Sequence, residues 1–308
     1  MKTIICTAAD HRFFDLLMGL IRSIRDKPEG RGIGIGVLDL GLTVEQRQSL
    51  APLISHFAEP GWDMAFPEGS LGPTHAAKDG YKAMTARPFL PRYFPGYDIY
   101  IWIDADAWIQ DWEAIDCLER AASWGEIAII PEMDRAYRTS YDYGRKRRWM
   151  RENYRRFFGE EAARKFRHMP VLNSGVFALR RDAPHWQAWA TDFQAGLLRQ
   201  PDLTVEQTAL NFTLYSRRLP HHFLPARFNW LVNKATPKFD LTRKLFTEPL
   251  LPHQPLGIIH LSGRAKDIQH MVWTTDSSGQ IGTKLRYNPA RRQPTYRFVA
   301  APTASAGA

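Results

Sequence analysis

Cysteine is nearly missing from this 308-residue chain. Cys6 and Cys117 are the only two, too few for a disulfide framework and in keeping with a reducing compartment. Long apolar runs are missing as well. No stretch approaches the roughly eighteen uninterrupted apolar residues of a membrane span, and the opening "MKTIICTAADHRFF" is cut at Asp10-His11-Arg12 before it reaches the apolar length of a secretory signal. The expectation is a cytosolic protein. No internal repeat is visible, and no nucleic-acid motif accompanies the basic residues, so a nucleic-acid partner is not expected. Against these absences stand 44% hydrophobic and 12% aromatic residues, enough to bury a large core and to argue against disorder. The net charge of +9 favours an anionic partner without saying which kind.

The first half alternates in period. "KTIICTA" and "IGIGVLDL" read as strands, "RFFDLLMGLIRSI" as a helix, and "TVEQRQSLAPLISHF" as a helix over 43–57 opened by Thr43 as its cap. "DIYIWID", "WEAIDCLERAA" and "EIAIIPE" continue the alternation as strand, helix and strand. Later, "SGVFALR", "DAPHWQAWATDFQAGLL" and "LGIIHLSG" read as strand, helix and strand. Strand followed by helix, repeated, predicts right-handed crossovers and an α/β domain with a mostly parallel sheet. "GRGIGIG" leads into a strand instead of following one, so it reads as a turn and not as a dinucleotide loop. Beyond Tyr287 the chain is rich in Pro, Arg and Ala, and "AAPTASAGA" reads as a frayed tail.

Chemistry enters at "IWIDADAWIQ", where an apolar strand runs into Asp104 and Asp106. An unpartnered ionised carboxylate is costly to bury, so a cation is expected there. The pair stands at the carboxyl end of a strand, where open α/β sheets place ligands. Side chains one residue apart on an extended strand point to opposite faces, and they converge only if the chain turns. One carboxylate can then reach a ribose while the other takes a hard divalent metal, or both can serve one metal. Phosphatases of the haloacid dehalogenase type spell the same pair, but after their first strand, with a hydroxyl or small residue next where this chain has Ala107-Trp108. A plain reading, two aspartates capping the following helix, also exists. Downstream, "HLSGRAK" sets His260 at a strand end, with Gly263 allowing close backbone approach and Lys266 able to meet phosphate oxygens. Imidazole with carboxylates suits Mn²⁺, and the Gly and Lys suggest a diphosphate beside it.

Between Arg135 and His168 the chain is dense in Arg interleaved with Tyr, Trp and Phe. From about Gly144 the spacing predicts a helix on which Trp149, Tyr154, Phe157, Phe158 and Phe166 share a broad face. Two readings stand: a solvated basic helix packing its aromatics on the domain, or a contact to an acceptor or a membrane surface. Arg145, Arg147 and Arg148 are the candidates for gripping an anionic acceptor.

Five motifs in order, "TAADHRF", "TARPFLPRYFPGYDIYIWIDADAWI", "LNSGVFAL", "EQTALN" and "HLSGRAK", resemble the ordered signature of the family 8 retaining glycosyltransferases over about residues 4–266. The resemblance implies a GT-A type, Rossmann-like single large domain over 1–270. The basic helical insertion at about 135–168 and an extension over 271–308, partly disordered at its end, lie outside the resemblance. It implies a nucleotide-sugar donor, commonly a UDP-sugar, with Mn²⁺ or Mg²⁺, and transfer to a glycan or glycolipid acceptor with retention. By resemblance, Ala8 and Asp10 hold uracil and ribose, Arg87 contacts the donor, and Asp104, Asp106 and His260 ligate the metal. Gly263 and Lys266 clamp the diphosphate, Asn173 and Ser174 bind donor sugar or acceptor, and Gln207, after Glu206, lies beneath the anomeric carbon. Four positions depart from the pattern: Glu206 replaces Asp, Arg12 replaces Asn, and Asp267-Ile268 replaces Pro-Trp. A metal-dependent nucleotidyl or phosphoryl transferase, a phosphatase and a non-catalytic basic docking protein are the alternative classes.

Overall fold

The computed structural model describes residues 1–67, 80–138, 143–202, 204–287 and 298–300, so the tail read as frayed lies almost wholly outside the described residues. Among these, no helix is long and apolar enough to cross a membrane. In chain order the first strands are β1 (Thr3–Ala9), β2 (Gly34–Asp39), β3 (His56–Ala58), β4 (Ile99–Ile103), β5 (Ala107–Ile109), β6 (Ile127–Pro131), β7 (Leu172–Arg180) and β8 (His221–Phe223). Apart from the single turn Leu90–Tyr93, the described α-helices are α1 (Phe14–Arg25), α2 (Val44–Leu50), α3 (Gly80–Ala86), α4 (Glu113–Ser123), α5 (Tyr143–Phe158), α6 (Glu160–Phe166), α7 (His185–Arg199) and α8 (Val205–Arg217).

Seven strands build the central sheet in the order β3-β2-β1-β4-β7-β6-β8. All neighbours are parallel except around β7, which runs antiparallel to both β4 and β6. That reversal matters for the site, because it brings the beginning of β7, "LNSG", to the carboxyl end of β4. Alternation along β4 divides the core. Ile99, Ile101 and Ile103 face the layer that includes α1 and α4, while Tyr100 and Trp102 face α5, α7 and α8. Both faces are covered, which is why β4 reads as an unbroken apolar run.

The helix expected over 43–57 is shorter. Thr43 does cap it, through a reciprocal box with Gln46, but it ends at Leu50. Pro52 follows at once, and a proline restricts the residue before it and offers no N–H to continue the ladder. The freed segment His56–Ala58 becomes the edge strand β3, parallel to β2. "GRGIGIG" is a 3-10 turn, Glu29–Arg31, leading into β2.

In the basic segment Met150, Tyr154, Phe157 and Phe166 are buried against the domain, and Phe158 stacks on Phe212 with ring centroids 4.0 Å apart. Gly159, at φ 91°, separates α5 from α6. Arg151, Arg155 and Arg156 pair with Glu160, Glu152 and Asp202. Trp149 departs from the expected face: it is 44% exposed. The side chains of Arg145 and Arg147 lie outside the described residues.

The remaining strands are β9 (Trp230–Leu231), β10 (Lys238–Asp240), β11 (Leu245–Thr247), β12 (Ile258–His260), β13 (His270–Trp273), β14 (Gly279–Thr283) and β15 (Phe298–Ala300). β12 does not join the large sheet. It forms a second, three-stranded sheet in the order β5-β12-β9, over an apolar cluster that includes Trp108, Trp230, Ile259 and Val272. Residues after 270 pack on this cluster: the Trp108 indole N–H donates to Leu285 O at 2.8 Å, and Tyr287 lies 5.5 Å from the Trp108 ring.

Candidate active site

The chain turns between β4 and β5, and this turn makes the two aspartates converge. Asp104 N donates to Gly175 O at 2.8 Å, and Ala107 N donates to Asp104 O at 2.9 Å. β5 then leaves for the second sheet, where Ala107 is the register partner of His260 on β12. Leu261 N donates to Asp106 O at 2.8 Å. His260 is thereby set beside both carboxylates: its Nε2 is 3.2 Å from Asp106 Oδ1 and 3.9 Å from Asp104 Oδ2.

Each carboxylate has a cation of its own. Lys266 Nζ lies 2.6 Å from Asp106 Oδ2, delivered by the 3-10 turn Gly263–Lys266, which Gly263 enters at φ 63°, a conformation that favours glycine. Arg87 is buried and its guanidinium bridges Asp104 Oδ1 at 2.6 Å and Glu206 Oε1 at 3.2 Å. The Trp102 indole N–H also donates to Asp104 Oδ1, at 2.8 Å. Burial opposes ionisation of Asp106, but the charges of His260 and Lys266 outweigh it and hold the carboxyl well below the usual range. For His260, burial pushes the pKa down, and Asp106 and Asp104 together raise it above the ordinary value. Glu206 is pushed up by burial, which Arg87 and Ser174 only partly offset.

Asp104, Asp106 and His260 each offer one ligand atom, all within 4.8 Å of one another. Two hard oxygens and an imidazole nitrogen fit Mn²⁺ or Mg²⁺. Space is kept open by Gly175, where a Cβ would come within 2.6 Å of His260 Cε1 and 2.7 Å of Asp104 Oδ2.

Beside this cluster opens a cleft of about 550 Å³, lined by Asp104, Arg87, Asn173, Gln207, Trp149 and Lys234 among others. Glu206 and Gln207 both line the cleft; Glu206 is buried, with its Oε2 accepting from Ser174 Oγ at 2.8 Å, and Gln207 is half-buried. Ala8, Asp10 and Gly263 are not part of the described lining. Ala8 and Asp10 end β1, next to β4 in the sheet, and Asp10 accepts from Arg12 and Phe13 N–H groups and from the Arg12 guanidinium, Nε to Oδ2 at 2.8 Å. Burial would raise the Asp10 pKa, but Arg12 and these bonds bring it below the usual range. Arg12 therefore occupies a carboxylate expected to read a nucleotide.

Sequence reasoning missed three members. Glu132, just past β6, accepts from Asn173 Nδ2 at 3.0 Å and Gln207 Nε2 at 3.3 Å. It carries the same signal as Asp104, a carboxylate ending a buried apolar strand. Asn229, 1% exposed between Phe228 and Trp230, signals itself as an amide in an apolar run. Gly175 stands inside the quoted "LNSG" without an assigned role.

This sheet, with its reversed β7 and a carboxylate pair at the end of β4, defines the GT-A glycosyltransferase fold. Among solved structures, the chain is similar to the galactosyltransferase LgtC, determined in complex with donor and acceptor sugar analogues: identity is 15%, coverage 85% of this chain and 88% of that one, and the TM-score 0.51. It is also similar to the apo form of the glycosyltransferase GlyE of Streptococcus pneumoniae TIGR4, at 13% identity and a TM-score of 0.50, covering 86% of this chain and 55% of that one. No family model and no curated protein matches the chain by sequence.

Proposed function

We propose that this protein is a divalent-metal-dependent glycosyltransferase that moves a sugar from a nucleotide sugar, a UDP-sugar, to a glycan or glycolipid acceptor with retention of anomeric configuration. One observation carries the reading: Asp104, Asp106 and His260 converge within 4.8 Å, with Lys266 on Asp106, at the side of a cleft wide enough for sugar ligands. A metal ion held by these three residues would neutralise the diphosphate of the donor. Lys266 adds a positive charge where the departing diphosphate gains a negative one, and such pre-placed charge is worth more in the transition state than in the ground state.

Glu206 is poorly placed as a covalent nucleophile. It is 3% exposed, and its oxygens face Ser174 and Arg87. Gln207, facing the cleft, supports same-face substitution: the acceptor oxygen bonds to the anomeric carbon, the bond from that carbon to the diphosphate oxygen breaks, and the acceptor proton passes to the departing diphosphate. Trp149, exposed in the cleft wall, supplies an apolar surface for an acceptor sugar ring. The arginine-rich sequence of α5 supports an anionic acceptor, with contact to a glycolipid or membrane surface as its finer reading.

Calorimetric titration with UDP, GDP, ADP and CDP, with and without Mn²⁺, tests the donor. Selective UDP binding that needs both Mn²⁺ and an intact Asp106 is expected, as is release of UDP on turnover with a UDP-sugar. Equal binding of all four without metal would favour a docking protein, and pyrophosphate release would favour a nucleotidyl transferase.

A further inference from the structure

His260 makes a second hydrogen bond, away from the carboxylates. Its Nδ1 lies 2.8 Å from Asn229 Oδ1. Asn229 Nδ2 donates to Asn173 Oδ1 at 2.9 Å, and the same oxygen accepts from Gly175 N–H at 3.0 Å. Asn173 Nδ2 in turn donates to Glu132 Oε1 at 3.0 Å. The direction of this chain follows from its anchors. A backbone N–H only donates and an ionised carboxylate only accepts, so Asn173 has its oxygen toward Gly175 and its nitrogen toward Glu132. Asn229 must then present nitrogen to Asn173 and oxygen to the imidazole, and His260 must carry its proton on Nδ1. Nε2, the nitrogen facing Asp104 and Asp106, is left with its lone pair when the ring is neutral.

We propose that Asn229, Asn173 and Glu132 form a relay that fixes the His260 tautomer for metal ligation, with Asn229 as the positioning residue and Glu132 as its fixed end. The inference rests on the metal-site reading above. Glu132 also accepts from Gln207 Nε2 at 3.3 Å and pairs with Lys234 Nζ at 3.4 Å, so one carboxylate orients both the amide that points the imidazole and the amide facing the cleft. Asn229 is 1% and Asn173 9% exposed, and an unpaired donor or acceptor so buried is costly.

Two measurements test it. Nitrogen NMR of the metal-free protein, at a pH where the His260 ring is neutral, reads the tautomer directly: Nδ1–H in the native chain, a mixture in Asn229→Leu. Calorimetric titration with Mn²⁺ alone should show about a 10- to 100-fold loss of affinity in Asn229→Leu, the usual scale for removing such a partner of a metal-ligating histidine, and near-native affinity in Asn229→Asp, which keeps an acceptor on Nδ1. A native chain that binds no Mn²⁺ would remove the metal reading while the tautomer result still decides the relay. Unchanged tautomer and unchanged Mn²⁺ affinity in a folded Asn229→Leu, or in Asn229→Val should that variant be the one that folds, would overturn the proposal.

Discussion

Gly175 lies directly against His260: a methyl group in place of its hydrogen would sit 2.6 Å from His260 Cε1 and 2.7 Å from Asp104 Oδ2. Neither neighbour yields easily, because His260 is held by Asn229 and Asp104 by Arg87 and Trp102. Gly175→Ala is therefore expected to cost about 1–3 kcal/mol in urea unfolding and to weaken Mn²⁺ binding in calorimetry. A variant with native stability and native metal affinity would show that the cluster has slack the geometry denies.

Arg87 and Glu206 are both buried, and their carboxylate–guanidinium contact continues to Asp104. Removing Arg87 strands the buried Glu206 carboxylate, whereas removing Glu206 leaves Arg87 its pairing with Asp104. Arg87→Met should destabilise the fold by about 3–5 kcal/mol, and Glu206→Leu by less. Arg87→Met combined with Glu206→Leu should fall short of the sum of the single losses. Chemical denaturation of the two single variants, Arg87→Met and Glu206→Leu, and of the double variant checks the coupling.

Trp149 is exposed on α5, among whose described side chains Met150, Tyr154 and Phe157 are buried. Trp149→Ala is expected to leave the unfolding midpoint unchanged and the donor KM unchanged. Acceptor KM should rise about three- to tenfold, the value of one aromatic stacking contact. Steady-state kinetics with donor and acceptor varied separately distinguish this from a general loss of fold.

His185 opens α7 with its Nε2–H donating to Pro220 O at 2.8 Å, while Nδ1 is buried with no hydrogen-bond partner among the described residues. Burial lowers its pKa below the ordinary 6.5, offset in part by the Pro220 bond. The unfolded chain then binds the proton more readily than the folded one, so stability is full above about pH 6.5 and declines as the pH falls through and below that value. His185→Gln, which can keep the donor, should flatten this limb of the pH–stability curve measured by denaturant titration.

How much of this was legible in advance follows from what each residue costs locally. Asp104 and Asp106 announce themselves because carboxylates have no local reason to end an apolar strand, and Lys266 and Gly263 announce themselves beside a histidine at a strand end. The helix expected over 43–57 failed at Pro52, a local signal outweighed by the apolar spacing around it. Trp149 was assigned to the packed face by the same spacing, yet it faces the cleft.

By itself the order of residues determined the alternation of strands and helices, the carboxylate pair at the end of β4 and the basic aromatic helix, since each is a property of neighbours along the chain. Only the tertiary structure decided that β7 runs backwards between β4 and β6, that β12 leaves the large sheet to meet β5, and that Glu132, Asn173, Asn229 and His260 join in one hydrogen-bonded line. Those bonds span 41, 56 and 31 residues of chain. Their partners are chosen by how buried faces close on one another, where every polar group shut away from water must find a mate, and no local pattern records which mate it will be.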